Sequence, residues 1–214
     1  MPSYPLFPLP VVLFPGALMP LHIFEPRYRA MLADAAQGDH RLVLLPPGAD
    51  GGAPEPGTIG TVARIRAIQP LTDGRSNIVI SGDRRVTLSA LVQSPKPYLI
   101  GAVDDLADLA ETQAPSPTEV ATLRELGERL SRALDQIADV ERDPEFADDP
   151  ATLTFQIAAL IEWDVTEQRP FLGIRSVMER VTRLRHLLPA LAADAEARAA
   201  VHRRAPTNGK GLHP

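Results

Sequence analysis

The sequence predicts an α+β protein: a β-rich N-terminal unit with one short helix, followed by a C-terminal bundle of helices. Three observations carry this. Up to about residue 104 the chain has short β-type apolar runs separated by turn residues. Beyond Asp104 the apolar residues recur at helical spacing, and most helix-start signatures lie in that half.

In the first half, strands are expected over residues 9–14, 41–45, 58–69, 77–81, 84–92 and 98–103. The clearest hairpin is VARIRAI and NIVIS around LTDGRS, where Asp73-Gly74 suits a tight reversal. Alternation puts Ala63, Ile65 and Ala67 on a buried face and Arg64 and Arg66 on a wet one. A second reversal is expected at Gly82-Asp83, and the Pro/Gly-rich stretch 46–57 reads as a surface loop. One helix is expected over 26–37, with Pro26 at its first position, Gly38 at its stop, and Tyr28, Met31, Leu32 and Ala35 as its apolar stripe.

The acidic segment from 105 to 116 reads as a connector between a β-rich subdomain, 1–104, and a helical one, 117–204. Ser116-Pro117-Thr118-Glu119 combines a capping box with a first-turn proline. Asp149-Pro150 starts a second helix, and Ser176 with Glu179 caps a third whose stripe is Val177, Val181, Leu184 and Leu188. An Ala-rich stretch extends or follows it beyond Pro189, and residues 205–214 read as an unstructured tail.

Composition narrows the function classes. The absence of cysteine removes disulfides, thiolate metal sites and cysteine nucleophiles, and a net charge of −5 argues against nucleic-acid partners. No apolar run reaches membrane-spanning length, and the proline-broken N-terminus lacks a signal peptide's basic start, so a cytoplasmic protein without a membrane partner is expected. The phosphate-cradling G-x-x-x-x-G-K-[ST] motif is absent; Gly209-Lys210 lies in the tail. His22-x-x-Glu25 lacks the second histidine of a helical zinc motif, so no metal or cofactor is expected. No G-x-S-x-G elbow or Ser-x-x-Lys pair supplies a nucleophile, and no catalytic residue is assigned.

The remaining feature is the proline-spaced apolar stretch at 5–32. Phe14, Leu18, Met19 and Phe24, around a turn at Pro15-Gly16, exceed what one short strand needs, and we read Phe14, Pro15, Leu18, Met19 and Phe24 as a candidate peptide-binding surface.

The segments PLFPLPVVLFPG and PLHIFEPRYRAML, followed in order by GTIGTVARI, DGRSNIVISGDRRV and YLIGAVDDL, resemble the N-terminal domain of the Lon protease family. LTFQIAALIEWDV and SVMERVTRLRHLL extend the likeness over about residues 4–190. The resemblance implies a twisted sheet or pseudo-barrel followed by a helical bundle. It also implies a role in recognising unfolded or tagged substrates, with proteolysis residing in ATPase and Ser-Lys protease modules whose motifs are missing here. The expectation is a free-standing, non-catalytic module for unfolded or apolar polypeptide segments, alone or within a larger protease or chaperone complex. One alternative is an adaptor or structural partner in a larger complex, acting through Arg175, Arg180, Arg183 and Arg185 as an exposed cationic face, and a minor one is a peptidase, by family name only.

Overall fold

A computed structural model of the chain describes residues 1–110, 113–141 and 145–204, so the expected tail at 205–214 lies outside the described residues. The elements are β1 (Ser3–Pro8), β2 (Leu18–Ile23), α1 (Pro26–Gln37), β3 (Arg41–Leu45), β4 (Ile59–Pro70), β5 (Ser76–Val92), β6 (Ile100–Asp105), α2 (Pro117–Ile137), α3 (Pro150–Ala158), α4 (Val165–Gly173) and α5 (Val177–Arg204).

The contacts divide the chain into two compact units, one made of Met1–Glu111 with Glu162–Val177 and the other of the remainder. The chain thus leaves the sheet unit, enters the helical one and returns, rather than crossing once at the acidic connector. Aromatic packing explains the return. Phe171 on α4 and Trp163 before it meet at 4.9 Å between ring centroids, and both pack against Phe14. The Arg85 guanidinium on β5 donates to the carbonyls of Leu172 and Ile174, each at 2.7 Å, and pairs with Asp108.

The six strands run in the order β2-β5-β4-β3-β1-β6, and β6 pairs back onto β5. That last pairing closes β5, β4, β3, β1 and β6 into a barrel, which removes sheet edges. One strand stays outside the closure: β2 pairs with the first half of β5, while β6 takes the second half. The barrel core includes Leu6, Val43, Val62, Val86, Leu88 and Val103. A second core lies under α1, whose Tyr28, Met31, Leu32 and Ala35 are all buried, on the expected stripe.

Several expectations fail for identifiable reasons. Residues 9–14 form no strand; the first strand is β1, and Leu13 is instead held by Thr61, whose Oγ1 donates to its carbonyl at 2.6 Å. Pro10 removes a ladder donor from within that stretch. No reversal occurs at Gly82-Asp83, because β5 runs unbroken through both. Gly82 serves close approach: a Cβ there would lie 2.2 Å from the Phe14 carbonyl oxygen. Its N–H donates to the Ala17 carbonyl and its own carbonyl accepts from Gly16. A register shift between Ile65 and Ala67 turns Ala67 to the exposed side.

In the helical unit α2 begins with the expected capping box, in which Ser116 and Glu119 satisfy each other's amides. Gly127 lets α3 approach, since a Cβ there would sit 2.7 Å from Ile157 Cδ1. Helix α5 runs through Pro189 and buries Val181, Leu184, Leu188, Ala192, Ala195 and Ala199. The sequence reading missed α4, although Asp164, whose carboxylate accepts from Thr166 N–H, with Glu167 three residues on, carried a start signal.

Candidate binding surface

The structure separates the five candidate residues. Phe14 is 2% exposed, with the Phe171 ring edge-on at 5.9 Å, and Pro15 is buried where it bridges Gly82. These two support the surface from beneath instead of lining it, because close packing leaves their side chains no access to a ligand. Met19 is half-buried against the core under α1. Leu18 and Phe24, at 68% and 59% exposed, face solvent.

Pairing fixes what surrounds them, since cross-strand partners share a face of the sheet. Leu18 stands opposite Ser81, Pro20 opposite Val79, and His22 opposite Asn77. One strand further, Val79 faces Ala67 and Asn77 faces Gln69. Of these, Pro20, His22, Asn77, Val79, Ala67 and Gln69 line a shallow cavity of about 450 Å³ together with Leu21, Ile68 and Ile78, and Leu18 and Ser81 lie outside it. The His22 ring shares a 2.7 Å hydrogen bond with the Asn77 side-chain oxygen and stacks on Phe24 at 6.1 Å. Glu25 pairs with Arg27 at 2.9 Å, so His22 and Glu25 serve separate partners. The sequence reading missed Pro20, Ile68 and Val79, because it did not place β2 or the register that aligns them.

A larger cavity of about 860 Å³ lies beside α1, with Arg27, Tyr28, Lys96 and Tyr98 among its walls. Asp34 fastens one side, accepting from Lys96 Nζ at 2.8 Å and from Tyr98 Oη at 2.6 Å. The Lys96 bond, then the Tyr98 bond, draws the Asp34 carboxyl below its ordinary range. Burial, then the Asp34 bond, pushes the Tyr98 phenol up to about 12.

The cationic face expected on the helical half does not form as a set. Arg180 is 0% exposed, its guanidinium 4.2 Å over the Phe155 ring and donating to Thr154 Oγ1, because a buried position on α5 turns it inward. Arg183 pairs with Glu179, Arg185 with Glu119, and Arg175 donates to the Ala107 carbonyl. Among the described residues no group of three or more His, Cys, Asp or Glu could hold a metal ion, and no helix is long and apolar enough to cross a membrane.

A strand barrel carrying an exposed apolar outer strand, continued by a helical unit, defines a two-unit α+β domain. The chain belongs to the ATP-dependent protease La (LON) substrate-binding domain family, whose profile matches residues 3–190. It is 24% identical over 187 residues to a Lon protease of Cytophaga hutchinsonii, covering 83% of this chain and 23% of the relative. It is 28% identical over 200 residues to Lon protease 4 of Sorangium cellulosum, covering 90% of this chain and 24% of the relative. The chain thus spans about a quarter of the length of these relatives. Among solved structures, the Lon N-terminal domain protein from Xanthomonas campestris superposes with a TM-score of 0.65 at 22% identity, covering 88% of this chain and 100% of that one. The N-terminal domain of the Mycobacterium avium complex Lon protease superposes with a TM-score of 0.61 at 21% identity, covering 90% and 99%. These two likenesses establish the fold.

Proposed function

We propose that this chain is a non-catalytic module that binds exposed apolar segments of unfolded polypeptides, through Leu18, Met19 and Phe24 on and beside β2. The observation that carries this is the pair of large apolar side chains, Leu18 and Phe24, left in solvent beside the cavity at Pro20, Ile68 and Val79. Exposed apolar groups gathered at a concave surface mark contact sites for apolar partners. Phe14 and Pro15 act from below, keeping the segment before β2 rigid. Membership of a substrate-binding domain family supports the reading.

Isothermal calorimetry with reduced, carboxymethylated α-lactalbumin tests it. Saturable binding is expected, and the pair Leu18→Asp with Phe24→Ser should weaken it by about tenfold or more while leaving the thermal midpoint within a few degrees. Absence of saturable binding by the unaltered chain overturns the proposal.

A further inference from the structure

The strand left outside the barrel carries an unused hydrogen-bonding edge. In an antiparallel pair, alternate residues turn both backbone groups toward the partner and the residues between turn both away. The Gly82 amide donates to the Ala17 carbonyl, and Leu18 stands opposite Ser81. The phase follows: Met19, Leu21 and Ile23 bond to β5, whereas Leu18, Pro20 and His22 direct their backbone outward. Pro20 agrees with this phase, since a proline is tolerated where its missing N–H would face away from the ladder. Outward therefore point the N–H groups of Leu18 and His22 and the carbonyls of Leu18, Pro20 and His22. All three residues are exposed, and none of these backbone groups has a protein partner among the described residues.

Resting on the reading above, we propose that the apolar segment binds as an added strand along β2, through backbone hydrogen bonds to Leu18, Pro20 and His22. The outward groups, N–H and C=O at both ends and C=O alone in the middle, are complemented by extended backbone, and an incoming non-proline residue can donate to the Pro20 carbonyl. Side chains at alternate positions of the segment then fall on the outer face beside Leu18, Pro20 and the cavity. A second copy of this chain is a poorer occupant. Two β2 strands paired antiparallel about Pro20 would set two proline carbonyls against each other with neither N–H present. Charge adds a preference. Arg64 and Arg66 stand on the same outer face near the Leu18 end, and Arg64 makes no ion pair among the described residues, so an acidic residue is favoured at that end of the segment.

The probe is a blocked seven-residue peptide alternating leucine and serine with a glutamate at one end, titrated into the full chain by fluorescence polarisation. Two further versions carry N-methyl groups on alternate amides, one in each phase. Methylation in the phase facing β2 should weaken binding by about tenfold or more, and methylation in the other phase by less than about twofold. Pro20→Val, which restores an outward N–H, should tighten binding of the parent peptide by a few-fold. Equal tolerance of both methylated phases overturns strand addition but leaves side-chain binding at Leu18 and Phe24 standing. Failure of the parent peptide and of the unfolded-protein probe alike overturns both.

Discussion

Arg85 shows how one side chain can hold the sheet unit's two chain segments together. It is 5% exposed and satisfies two carbonyls at the C-terminal end of α4, those of Leu172 and Ile174, together with the Asp108 carboxylate. Removing it strands those acceptors in low dielectric, so Arg85→Met should cost about 3 kcal/mol in urea-induced unfolding. A cost below about 1 kcal/mol would show that water replaces the guanidinium. Phe14→Ala should cost about 4 kcal/mol in the same measurement, because it opens a void between Trp163 and Phe171. For that reason it reports on packing, whereas changes at Leu18 and Phe24 test the proposed binding. The sequence singled out Phe14, Leu18, Met19 and Phe24 together but could not sort them, since the burial of Phe14 depends on Phe171 and Trp163, roughly 150 positions later.

Elements whose signals are local came through with their boundaries. Helix α1 kept its proline start and its stripe, and α2 its capping box. Ser116→Ala removes the side chain that accepts from Glu119 N–H, and should lower stability by about 1 kcal/mol in urea-induced unfolding; Ser116→Asp, which keeps an acceptor, should recover most of it. The β4–β5 turn is equally local. Leu71 N–H donates to the Arg75 carbonyl, Gly74 has φ of 80°, and Asp73 accepts from the Arg75 side chain and amide, which holds its carboxyl at about 2. An NMR titration should place its midpoint near that value, and Asp73→Asn should abolish the titration and raise turn mobility. Strands were harder to read. Elements β1 and β2 were missed because both interrupt alternation with proline, and only pairing to β3, β5 and β6 makes them strands.

Over the whole molecule the carboxylates set the response to acid. Asp34, Asp73, Glu119, Asp164 and Glu196 are all drawn below their ordinary range, chiefly by bonds from Lys96, Arg75, the Ser116 amide, the Thr166 amide and Arg129 respectively. A folded pKa below the unfolded one contributes stability above the unfolded value, and that contribution is lost as pH falls through the folded one. Stability should therefore hold near neutrality and decline as pH drops below about 4, followed by circular dichroism with urea at each pH. A flat profile down to pH 2 would contradict these pairings. By itself the sequence determined the α+β class, the order of the two kinds of structure, the starts of α1, α2 and α3 and the family likeness, because each depends on spacing within a few residues or on motifs in fixed order. Only the tertiary structure decided that β2 stays outside the barrel, that Phe14 and Pro15 lie beneath the surface on which Leu18 and Phe24 stand, and that α4 returns to the sheet. Those outcomes depend on strand closure and on aromatic and arginine contacts between residues far apart in the chain, and no local pattern records them.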